Sequence, residues 1–129
     1  MHKKYSTIFM NERFKKAVTK KLNGMLEAET LSHPHSNSDS DLIFYNGQTD
    51  GLPYVGATLQ GANFIELMIL EDVFIKVVQA ELNRHRYCKK MLRTWKYDHA
   101  LDMPVLMIRY ARDAEEKRLL EIGIKNDSF

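Results

Sequence analysis

The chain has 129 residues, enough for one domain or for a small domain with an arm, and 44% of them are hydrophobic and 28% charged, a globular rather than a disordered composition. No run of 18 uncharged apolar residues occurs, and Met1-His2-Lys3-Lys4-Tyr5-Ser6 is not followed by an apolar core, so neither a membrane span nor a secretory signal is expected. One cysteine, Cys88, excludes an intramolecular disulfide and a four-cysteine zinc site, and suits a reduced, cytoplasmic protein.

The net charge of +2 conceals blocks: +4 over residues 1–30, −3 over 31–60, −3 over 61–82, +5 over 83–98 and −1 over 99–129. Sixteen residues at +5 inside a near-neutral chain form either a solvated face or a surface for a polyanion.

In chain order, Asn11 stands as an N-cap before Phe14, Val18, Leu22 and Met25/Leu26, which recur at helical spacing, so an amphipathic helix is expected over about Asn11–Glu29. Lys15, Lys16, Lys20 and Lys21 fall largely off its apolar stripe, which should dock on the rest of the chain or on a twin subunit. Leu31–Gln60 has no Lys or Arg and carries Pro34, Pro53 and Ser36-Asn37-Ser38-Asp39-Ser40-Asp41, the pattern of a turn-rich linker. Its one strand signal is Leu42-Ile43-Phe44-Tyr45 before Asn46-Gly47, readable as a short hairpin or as an anchor to the core.

From Ala62 to Arg84 polar residues Asp72, Lys76, Gln79, Asn83 and Arg86 step by three and four, with Leu70, Val73, Phe74, Val77 and Val78 opposite, which predicts one long helix. Tyr87, Cys88, Met91, Leu92 and Trp95 continue at helical spacing with Lys89, Lys90, Arg93 and Lys96 on the other face. Trp95 should then be buried between the long helix and the terminal pair of helices. Asp102-Met103-Pro104 reads as a helix start before Val105, Leu106, Ile108 and Tyr110. Asp113 with Glu116 three residues on reads as a capping box for a last helix carrying Leu119, Leu120 and Ile124. The expected fold is therefore all-α: an N-terminal amphipathic helix over 1–30, a linker over 31–61, and a helical domain over 62–129 that ends in a helix-turn-helix-like pair.

Catalytic signatures are missing from the sequence. It has no phosphate-binding glycine loop, GxGxxG or HExxH, so no enzyme activity and no cofactor are expected. His33 and His35 flank Pro34 near Asp39 and Asp41, but ligands on such a loop are poorly preorganised, and they read as solvated histidines. Cys88 reads as a small core residue, and His85 and His99 receive no catalytic role. On a helix, Arg84, Arg86, Lys89, Lys90, Arg93 and Lys96 would grip phosphates of double-stranded DNA, while Arg109, Arg112, Lys117 and Arg118 would supply the groove contacts.

The order of elements resembles the ArpU-type regulators, late-gene activators of temperate phages and prophages of Gram-positive bacteria. The resemblance runs over about residues 50–125, through Asp50-Gly51-Leu52-Pro53, Glu71-Asp72, Val77-Val78-Gln79-Ala80-Glu81-Leu82, Cys88-Lys89-Lys90-Met91-Leu92 and Tyr97. It implies a DNA-binding transcriptional regulator of phage origin with a sigma-like helix-turn-helix. RNA polymerase or another protein is expected as a further partner and a homodimer as an assembly, and the lack of a long apolar run leaves no membrane contact expected. The +5 block favours this regulator as the leading reading, and the mixed charge of Glu115, Glu116, Lys117 and Arg118 favours the alternative, a helical protein-binding module, an inhibitor or adaptor without nucleic-acid function.

Overall fold

The computed structural model describes residues 10–32, 41–87 and 90–127. Its elements are α1 (Glu12–Ser32), β1 (Asp41–Thr49), β2 (Leu52–Gln60), α2 (Phe64–Arg84), β3 (Met91–Asp98), β4 (Met103–Tyr110) and α3 (Ala114–Asp127). The four strands form one antiparallel sheet in the order β1-β2-β4-β3. The protein is α+β, which corrects the all-α expectation, and the stretch expected to be a helical domain contributes two strands.

The expected helices that survive do so for the reasons their sequences give. Asn11 caps α1, its Oδ1 accepting from Phe14 N at 2.9 Å. Phe14, Val18, Leu22 and Leu26 are all buried, and each such side chain contributes about 2 kcal/mol through lost apolar surface. The α1 stripe docks on its own chain, with the Phe14 ring edge-on to Phe74 at 5.7 Å and to Phe44 at 6.4 Å. Helix α2 opens on a reciprocal box in which Asn63 Oδ1 accepts from Glu66 N and Glu66 Oε1 accepts from Asn63 N. Arg13 pairs with Glu81 at one end of the helix layer, and Met25 and Asp72 share a groove towards the other, so α1 and α2 run antiparallel.

The β1–β2 hairpin is real, but its turn is not at Asn46-Gly47, which lie within β1 opposite Val55 and Tyr54. The chain reverses at Asp50-Gly51, whose φ values of 54° and 79° are the left-handed pair that a two-residue hairpin turn requires.

The largest correction lies after residue 86. Met91–Asp98 is a strand, so neighbouring side chains alternate between faces instead of sharing a helical stripe. Met91 and Trp95 pack towards the α1–α2 layer, whereas Leu92 joins Leu52, Ala111 and Leu120 on the other face. Trp95 is half-buried, its Nε1 donates to Glu71 Oε2 of α2 at 3.0 Å, and it packs on the main core and not on the cluster that holds Leu120 of the last helix. Val105, Leu106, Met107 and Ile108 imitate a buried helix because β4 is a central strand, paired with β2 and β3, and all four side chains are buried whichever face they point to. Pro104 is tolerated because the β2 ladder has ended at Leu106, and the Thr58 hydroxyl donates to the Pro104 carbonyl at 2.7 Å. With β4 a strand, the described residues contain no helix-turn-helix. Asp113 does cap α3, accepting from Glu116 N at 2.9 Å, but the Glu116 carboxylate turns to Arg112 instead of completing the box.

Candidate ligand-binding face of the sheet

Strand alternation sorts the sheet into two faces. Leu42, Phe44, Val55, Ala57, Leu59, Leu106, Ile108 and Tyr110 meet α1 and α2 in the main core. The opposite face carries Tyr45, Tyr54, Thr94, Lys96, Val105, Met107 and Arg109. Helix α3 covers one end of this second face, where Leu120 packs with Leu52, Leu92 and Ala111.

Beyond α3, the same face forms a cleft of about 300 Å³ lined by Tyr45, Tyr54, Lys96, Tyr97, Asp98, His99, Val105 and Met107. Its floor is the central pair of strands, through Tyr54, Val105 and Met107, and its walls come from the edge strands β1 and β3. Tyr45 Oη donates to Asp98 Oδ2 at 3.1 Å across the cleft. Partial burial, and then the Asp98 carboxylate that accepts its proton, hold the Tyr45 phenol above its ordinary value. Tyr97 and His99 meet edge-on at 4.9 Å on the rim. A smaller recess adjoins it and shares Lys96 and Met107, adding Thr49, Asp50, Thr94 and Arg109. There Arg109 donates to Asp50 Oδ2 at 3.0 Å.

Among the described residues, the basic side chains singled out in the sequence do not share one face. Lys96 and Arg109 come together at the recess. Arg93, three residues before Lys96 on the same strand, has the opposite parity and lies 3.4 Å from Glu71 on the helix side. Arg84 and Arg86 are exposed around the end of α2, Arg86 with a left-handed φ of 59°. Lys90 approaches Glu121 at 3.8 Å, and Lys117 and Arg118 are exposed on α3. Arg112 is held by Glu116, its Nε and Nη2 donating at 3.1 and 2.7 Å and its backbone N at 2.8 Å. The Glu116 hydrogen bonds raise the Arg112 pKa further, against the opposing effect of burial. Lys89, Cys88 and the His33–Asp39 stretch lie outside the described residues. Among the described residues of this block, Arg84 ends α2, Arg86 lies in the turn after it, and Arg93 and Lys96 point to opposite faces of β3, so they do not share one helix.

Tyr45, Tyr54, Tyr97, His99 and Met107 were missed as candidate site residues. For Tyr45 and Tyr54 a signal exists: with Asp50-Gly51 as the turn, parity sets Tyr45 opposite Gly56 and on one face with Tyr54, whereas nothing local marks Tyr97, His99 or Met107. Among the described residues no group of three His, Cys, Asp or Glu side chains could hold a metal ion, and no helix is long and apolar enough to cross a membrane. No known protein family, curated protein or solved structure matches the chain.

Proposed function

We propose that this chain is a small cytoplasmic protein-binding module without catalytic activity, and that it takes an apolar or aromatic side chain of its partner into the cleft on the sheet. The observation that carries the reading is the chemistry of the cleft. Three tyrosines, a methionine and a valine line a concave site on the rigid central strands, with one cation, Lys96, and one anion, Asp98, among the lining residues. Tyrosine supplies large contact area at little conformational cost, and a desolvated pocket ringed by polar groups is where binding energy concentrates. Neutrality favours a protein over a nucleic acid: Asp50 neutralises Arg109, and Asp98 lies two residues from Lys96. The single cysteine in the chain supports the cytoplasmic setting.

Selection of peptides from a random library on the wild-type protein tests this directly. The selected peptides should share one aromatic or large aliphatic anchor. They should lose about tenfold in affinity on Tyr54→Ala, the loss expected of a central pocket residue, with circular dichroism unchanged. No enrichment, or undiminished binding to the variant, would contradict the reading. So would tight binding of a labelled single-stranded oligonucleotide with a steep salt dependence, which would mark the tyrosines as a base-stacking platform.

A further inference from the structure

We infer that the groove between α1 and α2 is a second docking site, and that its occupant is an acidic amphipathic helix of a partner protein. The groove has a volume of about 570 Å³ and lies on the helix layer, away from the sheet cleft. Val73 and Met25 give it an apolar floor, and Lys20, Lys21 and Lys76 line it against a single carboxylate, Asp72. Asp72 lies 3.1 Å from Lys76, and among the described residues neither Lys20 nor Lys21 pairs with a carboxylate. The groove is therefore left with an unmatched positive charge.

Two further observations point to a helix as the ligand. Of the six exposed large hydrophobic side chains among the described residues, Met25, Phe64, Ile65 and Met68 belong to this end of the helix layer. Ile65 and Met68 continue, at helical spacing, the α2 stripe that reaches the groove at Asp72 and Lys76, so exposed apolar side chains adjoin the groove along the same helix face. Gly24 lines the groove from inside α1, where glycine weakens a helix relative to alanine. A Cβ built on Gly24 meets nothing within 4 Å, so packing inside this chain does not call for glycine there. A bare backbone on a groove wall lets a second helix approach closely, and a row of apolar anchors flanked by charge is the pattern by which a groove takes an amphipathic helix. A bilayer would reach the exposed rim but not the concave floor, and a nucleic acid would leave the exposed Met25, Ile65 and Met68 without apolar partners.

The probes are two synthetic amphipathic helices that share one leucine stripe, flanked by Glu in one and by Lys in the other, titrated against the full chain by fluorescence anisotropy. The Glu peptide should bind and the Lys peptide should not. Reversing Lys20 and Lys21 to Glu should weaken the Glu peptide about tenfold and admit the Lys peptide. Gly24→Leu should abolish binding while the melting temperature stays or rises, an effect that a structural role for Gly24 would not produce. Tyr54→Ala should leave Glu-peptide binding unchanged, which separates this site from the sheet cleft. Equal binding of both peptides, no binding of either, indifference to the Lys20/Lys21 reversal, or binding of vesicles rich in phosphatidylserine in place of the peptide would each overturn the inference.

Discussion

Arg112 and Glu116 show how one residue pair can be spent on structure. Both side chains are nearly buried, at 12% and 13% exposure, and the carboxylate satisfies the arginine side chain and backbone together. Glu116→Ala would strand a largely desolvated guanidinium and an amide, so it should destabilise the protein by about 3 kcal/mol in urea denaturation. A loss below 1 kcal/mol would mean that water replaces the carboxylate. Tyr110 makes the second prediction at this scale. It is 1% exposed at the end of β4, and its ring stacks on Tyr87, which stacks in turn on His85. Burial is the main cause of a phenol pKa raised well above its ordinary value. The folded state therefore keeps the proton at a pH where the unfolded chain has released it. The stability this confers is fully present below about pH 10, the unfolded value, and falls above it by about 1.4 kcal/mol per pH unit. Urea midpoints measured from pH 9 to 11 should fall less steeply for Tyr110→Phe than for the wild type. Parallel profiles would contradict the burial argument. In sequence these residues were legible only in part. Asp113 with Glu116 marked the start of α3, but that Glu116 would turn to Arg112 depended on where β4 delivers Arg112, which no local pattern encodes.

Elements with a long one-sided period were legible. Phe14, Val18, Leu22 and Leu26 lie on one face of α1, and Leu70, Val73, Phe74, Val77 and Val78 do the same for α2, because docking against one neighbour imprints a 3.6-residue stripe. The strands were illegible for two different physical reasons. Residues 105–108 of β4 are buried one after another, so this apolar run has no period to distinguish it from a buried helix. In β3, Met91, Leu92 and Trp95 have helical spacing only by coincidence. Met91 and Trp95 point one way and Leu92 the other, because two separate clusters need them. The hairpin carries two type I′ dipeptides, Asn46-Gly47 and Asp50-Gly51, and only the second lies between two segments long enough to pair over nine residues each. Gly51→Ala tests the turn. At φ 79° a side chain meets its own backbone, and the added carbon would lie 3.3 Å from Leu119 of α3. The cost should be about 1–2 kcal/mol by urea denaturation, against almost none if the turn can relax to another type.

At the scale of the whole molecule the sheet divides two environments. One face is sealed by α1 and α2 in the main core; the other is capped by α3 only where Leu52, Leu92, Ala111 and Leu120 meet. That unequal coverage places three tyrosines and Met107 in a cleft beside a single Lys and a single Asp, and it scatters the basic block that the linear sequence displays as a unit. Charge blocks are read along the chain, but surfaces are made by strand parity and pairing order, so a site assembled from β1, β2, β3 and β4 left no local trace beyond the hairpin parity that pairs Tyr45 with Tyr54. The most direct test of this account is to map, by amide chemical-shift perturbation, where the tightest library-selected peptide binds on the isotope-labelled protein. The account predicts the largest shifts at Tyr45, Tyr54, Lys96, Asp98 and Met107, with intermolecular contacts from the anchor side chain to the Tyr54 ring. Shifts confined to Arg84–Lys90 and the exposed face of α3, with the cleft unchanged, would contradict it.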